Sequence, residues 1–236
     1  MIKKTLRILA SQANFTVGAI EENAKKIKSI ILNHQTHHDL IVFPELALTG
    51  YPPEDLLFRK TLYERVDEAL KSIETITQTC HVIIGHPWIE FLHEPLSSNN
   101  RCFNAASIYY QGHCVQRYYK QQLPNHGVFD EKRYFTPGPP KPCLLTIHHY
   151  QLALCICEDI WQPGPVEQIL TAGADILVCI NASPYDYQKQ QQRLTLLKEH
   201  TQKGLAMVYV NLVGGQDDLV FDGQSMAMDQ TGNLCA

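Results

Sequence analysis

The stretch LALCICEDIW, residues 152–161, sets an uninterrupted apolar run directly before an acidic pair. Similar short apolar runs recur along the chain, namely DLIVFPE (39–45), HVIIGHP (81–87), NAASIYYQ (104–111), DILVCINAS (175–183) and AMVYVNLVGG (206–215). Runs of this length without polar alternation are typical of strands that are covered on both faces. The pattern therefore predicts sheets that are buried between other layers.

Helix-like stretches lie between these runs. Residues 17–34 carry apolar side chains along one helical face, namely Ile20, Ala24, Ile27, Ile30 and Ile31. Residues 55–79 and 187–203 lack Gly and Pro and are rich in charged and Gln residues. Strands that alternate with helices predict an α/β layered domain. Similar strands continue beyond the Pro-rich stretch 136–143, so we interpret that stretch as a loop within one domain.

Composition narrows the class of protein. Apolar residues make up 44% of the 236 and charged residues 19%, which excludes predominant disorder. The net charge is −4 without a basic run, so we expect no nucleic-acid or membrane partner. The N-terminus MIKKTLRILASQ has no signal-peptide core, which predicts a cytoplasmic protein. The eight cysteines form no C-x₂-C pair, so we expect buried thiols rather than a metal site.

The C-terminal stretch FDGQSMAMDQTGNLCA, residues 221–236, has the pattern of a strand, a turn and a returning strand. The turn is predicted at residues 229–232. A chain that stops just after it enters a strand suggests a fragment of a longer protein.

Three reactive side chains stand at or near the ends of apolar runs, where α/β folds place their sites. Glu45 follows a strand and could serve as a general base, or it could be a surface carboxylate. Lys120 follows paired tyrosines and could hold an anion or extend into solvent. Cys157 resembles the nucleophile at a strand-to-helix elbow, with Cys155 as its rival. The acidic pair that follows favours Cys157.

Taken together, these residues and their surroundings resemble a known family. The resemblance rests on five blocks: FPELALTGYPPEDLL (43–57), YYKQQLPNHGVFDEKRYF (118–135), ICEDIW (156–161), NASPYDYQKQQQR (181–193) and NLVGGQDDLVFDGQSM (211–226). They are similar to the nitrilase, or carbon–nitrogen hydrolase, superfamily. Within it they most resemble the N-terminal glutaminase domains of glutamine-dependent NAD synthetases.

The resemblance implies a fold and a mechanism. The fold is a four-layer α-β-β-α sandwich, and the reaction is hydrolysis of the glutamine side-chain amide. Glu45 is then the base, Cys157 the nucleophile, and Lys120 stabilises the oxyanion together with the backbone N–H of Glu158. Glu131 resembles an auxiliary polar residue of nitrilase sites, although it could equally be a surface carboxylate.

The same resemblance implies a set of substrate-binding residues. Tyr51 and Phe129 would form pocket walls, and Glu158 would pair with the α-ammonium of glutamine. Ser183 and Lys189 would bind the α-amino and carboxylate ends. His126 stands where the family commonly has Tyr. Lys189 stands where some relatives have Arg, and a lysine cannot form the bidentate contact that Arg forms with a carboxylate.

Further implications concern domains, cofactors and partners. Residues 1–236 would form one glutamine amidotransferase domain that needs neither cofactor nor metal. ATP and Mg²⁺ would belong to a C-terminal synthetase domain that receives the ammonia and amidates deamido-NAD. The signature loop of that domain, Ser-Gly-Gly-x-Asp-Ser, does not occur here, where the only Gly-Gly pair is Gly214-Gly215. The superfamily commonly dimerises, which implies a homo-oligomer.

Two alternatives remain open at this stage. A stand-alone nitrilase-type amidase that acts on another small amide would share Glu45, Lys120 and Cys157. A catalytically silent binding or assembly domain would keep the fold but not need these three residues.

Overall fold

The computed structural model describes residues 5–90 and 101–236. The first sheet consists of β1 (Ile8–Ala10), β2 (Leu40–Val42), β3 (His81–Ile89), β4 (Cys102–Tyr110) and β5 (His113–Tyr119), which lie side by side in chain order. β1, β2 and β3 are parallel, whereas β4 and β5 are antiparallel to their neighbours.

The second sheet consists of β6 (Cys143–Ile147), β7 (Tyr150–Ile156), β8 (Ile176–Asn181), β9 (Ala206–Asn211) and β12 (Met226–Met228). Their spatial order is β12-β9-β8-β7-β6. β7, β8 and β9 are parallel, with antiparallel strands at both edges. A separate hairpin joins β10 (Val213–Gln216) to β11 (Leu219–Asp222).

Four α-helices occur in the described ranges: α1 (Ile20–His34), α2 (Lys60–Glu74), α3 (Pro165–Thr171) and α4 (Lys189–Thr201). Short 3-10 helices span Glu54–Phe58, Glu131–Arg133 and Cys157–Ile160. The apolar residues of α1 and α2 pack on the first sheet, and those of α3 and α4 pack with the second.

β2 illustrates how the layers are held together. Leu40 and Val42 belong to the apolar cluster that joins both sheets, whereas Ile41 and Phe43 belong to the cluster beneath α1 and α2. Both faces of the strand are therefore covered, and burial of each large side chain is worth about 1.5–3 kcal/mol. This arrangement confirms the predicted α-β-β-α sandwich.

Several predicted boundaries change in the structure. The stretch 55–79 is not one helix, because Arg59 is extended and separates the 3-10 helix from α2. The run 206–215 divides between β9 and β10, and the second part leaves the sheet for the hairpin. The C-terminal turn is confirmed, since Leu234 returns to bridge Met228.

Membrane-spanning helices and metal clusters are both absent from residues 5–90 and 101–236. No helix in these ranges has the length and apolar character needed to cross a bilayer. In the same ranges, no group of three or more His, Cys, Asp or Glu side chains is arranged to hold a metal ion. The predicted cytoplasmic location stays a prediction, and the first four residues of the N-terminal segment lie outside the described ranges.

Candidate active site

Glu45 lies just beyond β2 and is fully buried. Its Oε1 accepts hydrogen bonds from the Lys120 ammonium at 2.7 Å and from the Asn104 side-chain amide at 2.7 Å, and its Oε2 accepts one from the Ala182 backbone N–H at 2.9 Å. Gly85 of β3 permits this placement, because a Cβ there would lie 2.4 Å from the carbonyl oxygen of Pro44. The carboxylate therefore contacts both sheets.

Lys120 follows β5 and is as deeply buried as Glu45. Its backbone N–H donates to the Asn104 carbonyl at 2.9 Å, and its own carbonyl accepts from the Gly138 N–H at 2.8 Å. A Cβ at Gly138 would lie 2.3 Å from the Tyr119 carbonyl oxygen, so only glycine fits there. The Pro-rich loop predicted from the sequence thus fixes the backbone of the lysine.

Glu131 completes the buried charged cluster. Its Oε1 accepts from Lys120 at 2.9 Å and from the Tyr51 hydroxyl at 3.0 Å. Burial raises the pKa of Glu131 to about 7, although the Lys120 charge opposes that shift. Burial alone would lower the pKa of Lys120, but the charges of Glu131 and Glu45 outweigh it and hold that pKa above its usual range. Lys120 is therefore an ammonium at neutral pH.

Cys157 lies directly after β7, at the start of a 3-10 helix. Its φ angle is +44°, a left-handed conformation that is costly for a residue with a side chain. Ile156 pairs with Ile180 of β8, which brings Cys157 beside the segment whose Ala182 N–H holds Glu45. The strand-to-helix elbow of the sequence prediction is thus present around this residue.

The surroundings of Cys157 determine its protonation. Burial, and after it the negative charge of Glu45, raises the pKa of the Cys157 thiol, whereas Lys120 lowers it. The thiol is therefore neutral at pH 7, and a nucleophilic role requires a base that removes its proton. The rival Cys155 lies inside β7 opposite Cys179, fully buried.

Three of the predicted substrate-binding residues lie around the elbow and the start of α4. The Glu158 carboxylate is partly exposed and accepts from the Gln162 side-chain amide at 2.8 Å. The Lys189 ammonium lies 4.3 Å from the centroid of the Trp161 ring. Trp161 comes three residues after Glu158, in the same turn. Ser183 is buried, and its hydroxyl accepts from the Arg193 guanidinium at 3.2 Å.

The other predicted pocket residues lie on the side of Glu131. Tyr51 and Phe129 line a cavity of about 300 Å³ together with Glu131. His126 is exposed, and its ring packs edge-on to Phe129 with centroids 5.9 Å apart. The structure therefore joins Tyr51 to the charged cluster directly and places His126 at the surface.

Sequence reasoning missed three polar residues that build the site. Asn104 holds Glu45, and the fully buried Arg193 holds the Ser183 carbonyl at 2.9 Å and pairs with Asp222 at 2.9 Å. Asp159 accepts hydrogen bonds from two neighbouring segments. A polar residue at the start of an apolar run is the signal that could have identified Asn104, the first residue of the run 104–111.

Comparison with known proteins identifies the class. The family model for the carbon–nitrogen hydrolases matches residues 7–236, so the chain belongs to this family. An amidase from Nesterenkonia superimposes with a TM-score of 0.82 over 99% of this chain and 86% of its own, at 22% identity. That similarity concerns the fold.

More similar relatives are longer proteins. A glutamine-dependent NAD(+) synthetase of Xanthomonas campestris is 40% identical over 234 residues, which is 98% of this chain and 41% of that protein. The structure of a glutamine-dependent NAD(+) synthetase from Acinetobacter baumannii, bound to adenosine diphosphate, superimposes with a TM-score of 0.90 at 34% identity. The match covers 99% of this chain and 43% of the Acinetobacter protein. The chain thus spans about two fifths of the length of these two NAD(+) synthetases.

Proposed function

We propose that this chain hydrolyses the side-chain amide of glutamine through Cys157, and that the ammonia released serves the synthesis of NAD. The observation that carries the proposal is the buried contact of Glu45 with Lys120 beside a thiol on a strand-to-helix elbow. A base, a cation and a nucleophile in one dry site are the groups that acyl transfer from an amide requires.

In the first step Glu45 accepts the proton of the Cys157 thiol, and the sulfur attacks the carboxamide carbon. The Lys120 ammonium and the Glu158 backbone N–H stabilise the negative oxygen of the tetrahedral intermediate. A well-aimed donor of this kind lowers the activation free energy by about 3–4 kcal/mol. Lys120 suits this role because its neighbours keep it charged.

The intermediate then collapses as Glu45 returns its proton to the leaving nitrogen, which departs as ammonia. A thioester remains on Cys157. Glu45 next removes a proton from water, the resulting hydroxide attacks the thioester, and glutamate leaves as the thiol regains its proton. Asn104 and the Ala182 N–H hold Glu45 in one orientation through both half-reactions.

Glutamine differs from a simple amide in its α-ammonium and α-carboxylate. Glu158 and Lys189 both contact groups of the turn that follows Cys157, and they carry the opposite charges that such a substrate requires. Ser183 is held by Arg193, which lies on the same helix α4 as Lys189. These contacts favour an amino-acid amide over an uncharged one, with Tyr51 and Phe129 as walls near Glu131.

We further propose that the ammonia passes to a synthetase domain that amidates deamido-NAD with ATP and Mg²⁺. The proposal is supported by the relatives, which carry that name and extend well beyond the region matched here. In this assignment residues 1–236 are the amidotransferase domain and need no cofactor of their own. Assembly into a homo-oligomer stays a prediction.

A panel of amide substrates tests the proposal. We expect this chain, expressed alone and joined to a synthetase domain, to release glutamate and ammonia from L-glutamine in equal amounts. Hydrolysis of butyramide should be slower by a factor of at least about ten, since it lacks the charged groups. Equal hydrolysis of both amides would favour a general amidase, and no hydrolysis of any amide in either form would favour a silent domain.

A further inference from the structure

Asp159, the second residue of the acidic pair, is a buried carboxylate with donors on both oxygens. Oδ2 accepts from the Ile156 backbone N–H at 3.0 Å and from the Tyr118 hydroxyl at 2.9 Å. Oδ1 accepts from the backbone N–H groups of Gln121 at 3.0 Å and Gln122 at 2.8 Å. Its hydrogen-bonding capacity is therefore used by two separate segments of the chain.

Those segments carry the proposed nucleophile and the proposed cation. Ile156 immediately precedes Cys157 at the end of β7 in the second sheet. Gln121 immediately follows Lys120. Tyr118 stands two residues before Lys120, at the end of β5 in the first sheet. One carboxylate thus links the two strand ends across the sandwich.

We infer that Asp159 is a positioning residue that fixes Cys157 and Lys120 relative to each other. The inference rests on the proposed function, because it matters only if the thiol and the ammonium act on the same substrate. Cys157 is held in a left-handed conformation, which persists only where surrounding contacts enforce it. The bond to the Ile156 N–H fixes the peptide segment that leads into that residue.

A carboxylate that merely capped the short helix would need only the local contact with Ile156. The contacts of Oδ1 reach residues that are 37 and 38 positions away in sequence, and they involve backbone groups rather than exchangeable side chains. These contacts therefore fix the end of β5 relative to the end of β7. Such geometry is what an acyl-transfer site requires of its nucleophile and its oxyanion donor.

The charge state of Asp159 sets the conditions of the test. Burial raises its pKa to about 6, and the backbone donors and the Lys120 charge limit that rise. The other titratable groups that it influences are Tyr118 and Cys155. Above pH 7 the side chain is a carboxylate and can accept all four hydrogen bonds.

The test is the alkylation of Cys157 by iodoacetamide, followed by peptide mass spectrometry, between pH 6 and 10. This readout needs neither glutamine nor turnover. Asp159→Asn replaces an acceptor oxygen by an NH₂ group that faces N–H donors. We expect its alkylation rate at pH 8 to fall at least about tenfold, equivalent to an upward shift of one unit in the apparent pKa of the thiol.

Asp175→Asn provides the matched control. The Asp175 carboxylate accepts from the Gln151 backbone N–H at 2.8 Å, at the opposite end of the same strand β7. It has the same chemistry and lies away from the site, so its loss should leave Cys157 alkylation within about twofold of wild type. An equal effect of both variants would overturn the inference, since it would show a general weakening of the strand.

Tyr118→Phe covers the case in which Asp159→Asn does not fold, because it removes one hydrogen bond and leaves no buried donor behind. We expect alkylation to slow about two- to fivefold. Wild-type rates in every folded variant of these two positions would overturn the inference. If the wild-type protein hydrolyses no glutamine, the proposed function is refuted. Slower alkylation of Cys157 in the variants would still support the positioning role of Asp159.

Discussion

The two sheets contribute to the site in different ways. The first-sheet half consists of Glu45, Lys120 and Glu131, and each of its charges has another member of the half as a hydrogen-bond partner. The second-sheet half consists of Cys157, Glu158 and Lys189. Within residues 5–90 and 101–236, the Glu158 carboxylate forms a side-chain hydrogen bond only with Gln162, and Lys189 lies over Trp161. Changes in the first half should therefore alter stability as well as chemistry, whereas changes in the second should alter reaction and selectivity in a folded protein.

The largest effect is expected at the nucleophile of the second-sheet half. Cys157→Ala should abolish amide hydrolysis, because it removes the sulfur that forms the thioester. Cys155→Ala should retain most of the rate, since Cys155 lies inside the strand. Turnover of glutamine, with circular dichroism as a check of folding, measures both. Equal loss in the two folded variants would remove the assignment of Cys157.

The next largest effect is expected at Lys120, in the first-sheet half. Lys120→Ala should lower kcat for glutamine by at least about a hundredfold, with little change in KM, because the charge acts on the developing oxyanion. It should also lower the free energy of unfolding by about 3–5 kcal/mol, since it leaves buried carboxylates without their cation.

Lys71→Ala is the control for that variant. Lys71 lies 2.7 Å from Asp67, the same distance as Lys120 from Glu45, but its side chain is exposed. We expect wild-type rate and melting temperature there. A Lys120 variant that behaves like the Lys71 variant would place Lys120 outside the reaction.

A smaller and more selective effect is expected at Glu158. Glu158→Gln removes one ionic hydrogen bond to the substrate ammonium, worth about 1.5–3 kcal/mol, so kcat/KM for glutamine should fall about ten- to a hundredfold. Butyramide never makes this contact and should react as before. Parallel losses for both amides would show that the carboxylate shapes the elbow and does not select the substrate.

The smallest effect concerns stability and pH. The raised pKa of Glu131 means that the folded protein keeps a proton between about pH 4.5 and 7 that the unfolded chain has lost. Its contribution to stability therefore falls as pH rises through that window. Glu131→Gln does not titrate, so the stability of the variant relative to wild type should increase from pH 4.5 to 8 in urea unfolding. A difference that is constant with pH would contradict the raised pKa.

The fold was predictable because its central strands are covered on both faces and read as apolar runs. Strands without that signature were missed, such as the three-residue β1 and the largely exposed β5. The break at Arg59 was missed for a related reason, since the residues around it suit a helix and only the packing in three dimensions separates them.

The site was predictable only where a residue stands beside a recognisable motif. Glu45, Lys120 and Cys157 are far apart in sequence, and the resemblance to a family brought them together before the structure did. The hydrogen bonds of Asn104, Asp159 and Arg193 could not be predicted, because each depends on which strand ends meet across the sandwich. The contacts that hold a reactive group in position are long-range, and sequence spacing does not encode them.

The proposed function depends above all on Cys157 being the thiol that attacks the amide of glutamine. Labelling with a diazoketone analogue of glutamine, read by peptide mass spectrometry across all eight cysteines, tests this assignment most directly. We predict one adduct, on Cys157, whose formation slows as glutamine is added and disappears in Glu45→Gln. An adduct on Cys155 or Cys179, or labelling of Cys157 that glutamine does not slow, would contradict the assignment.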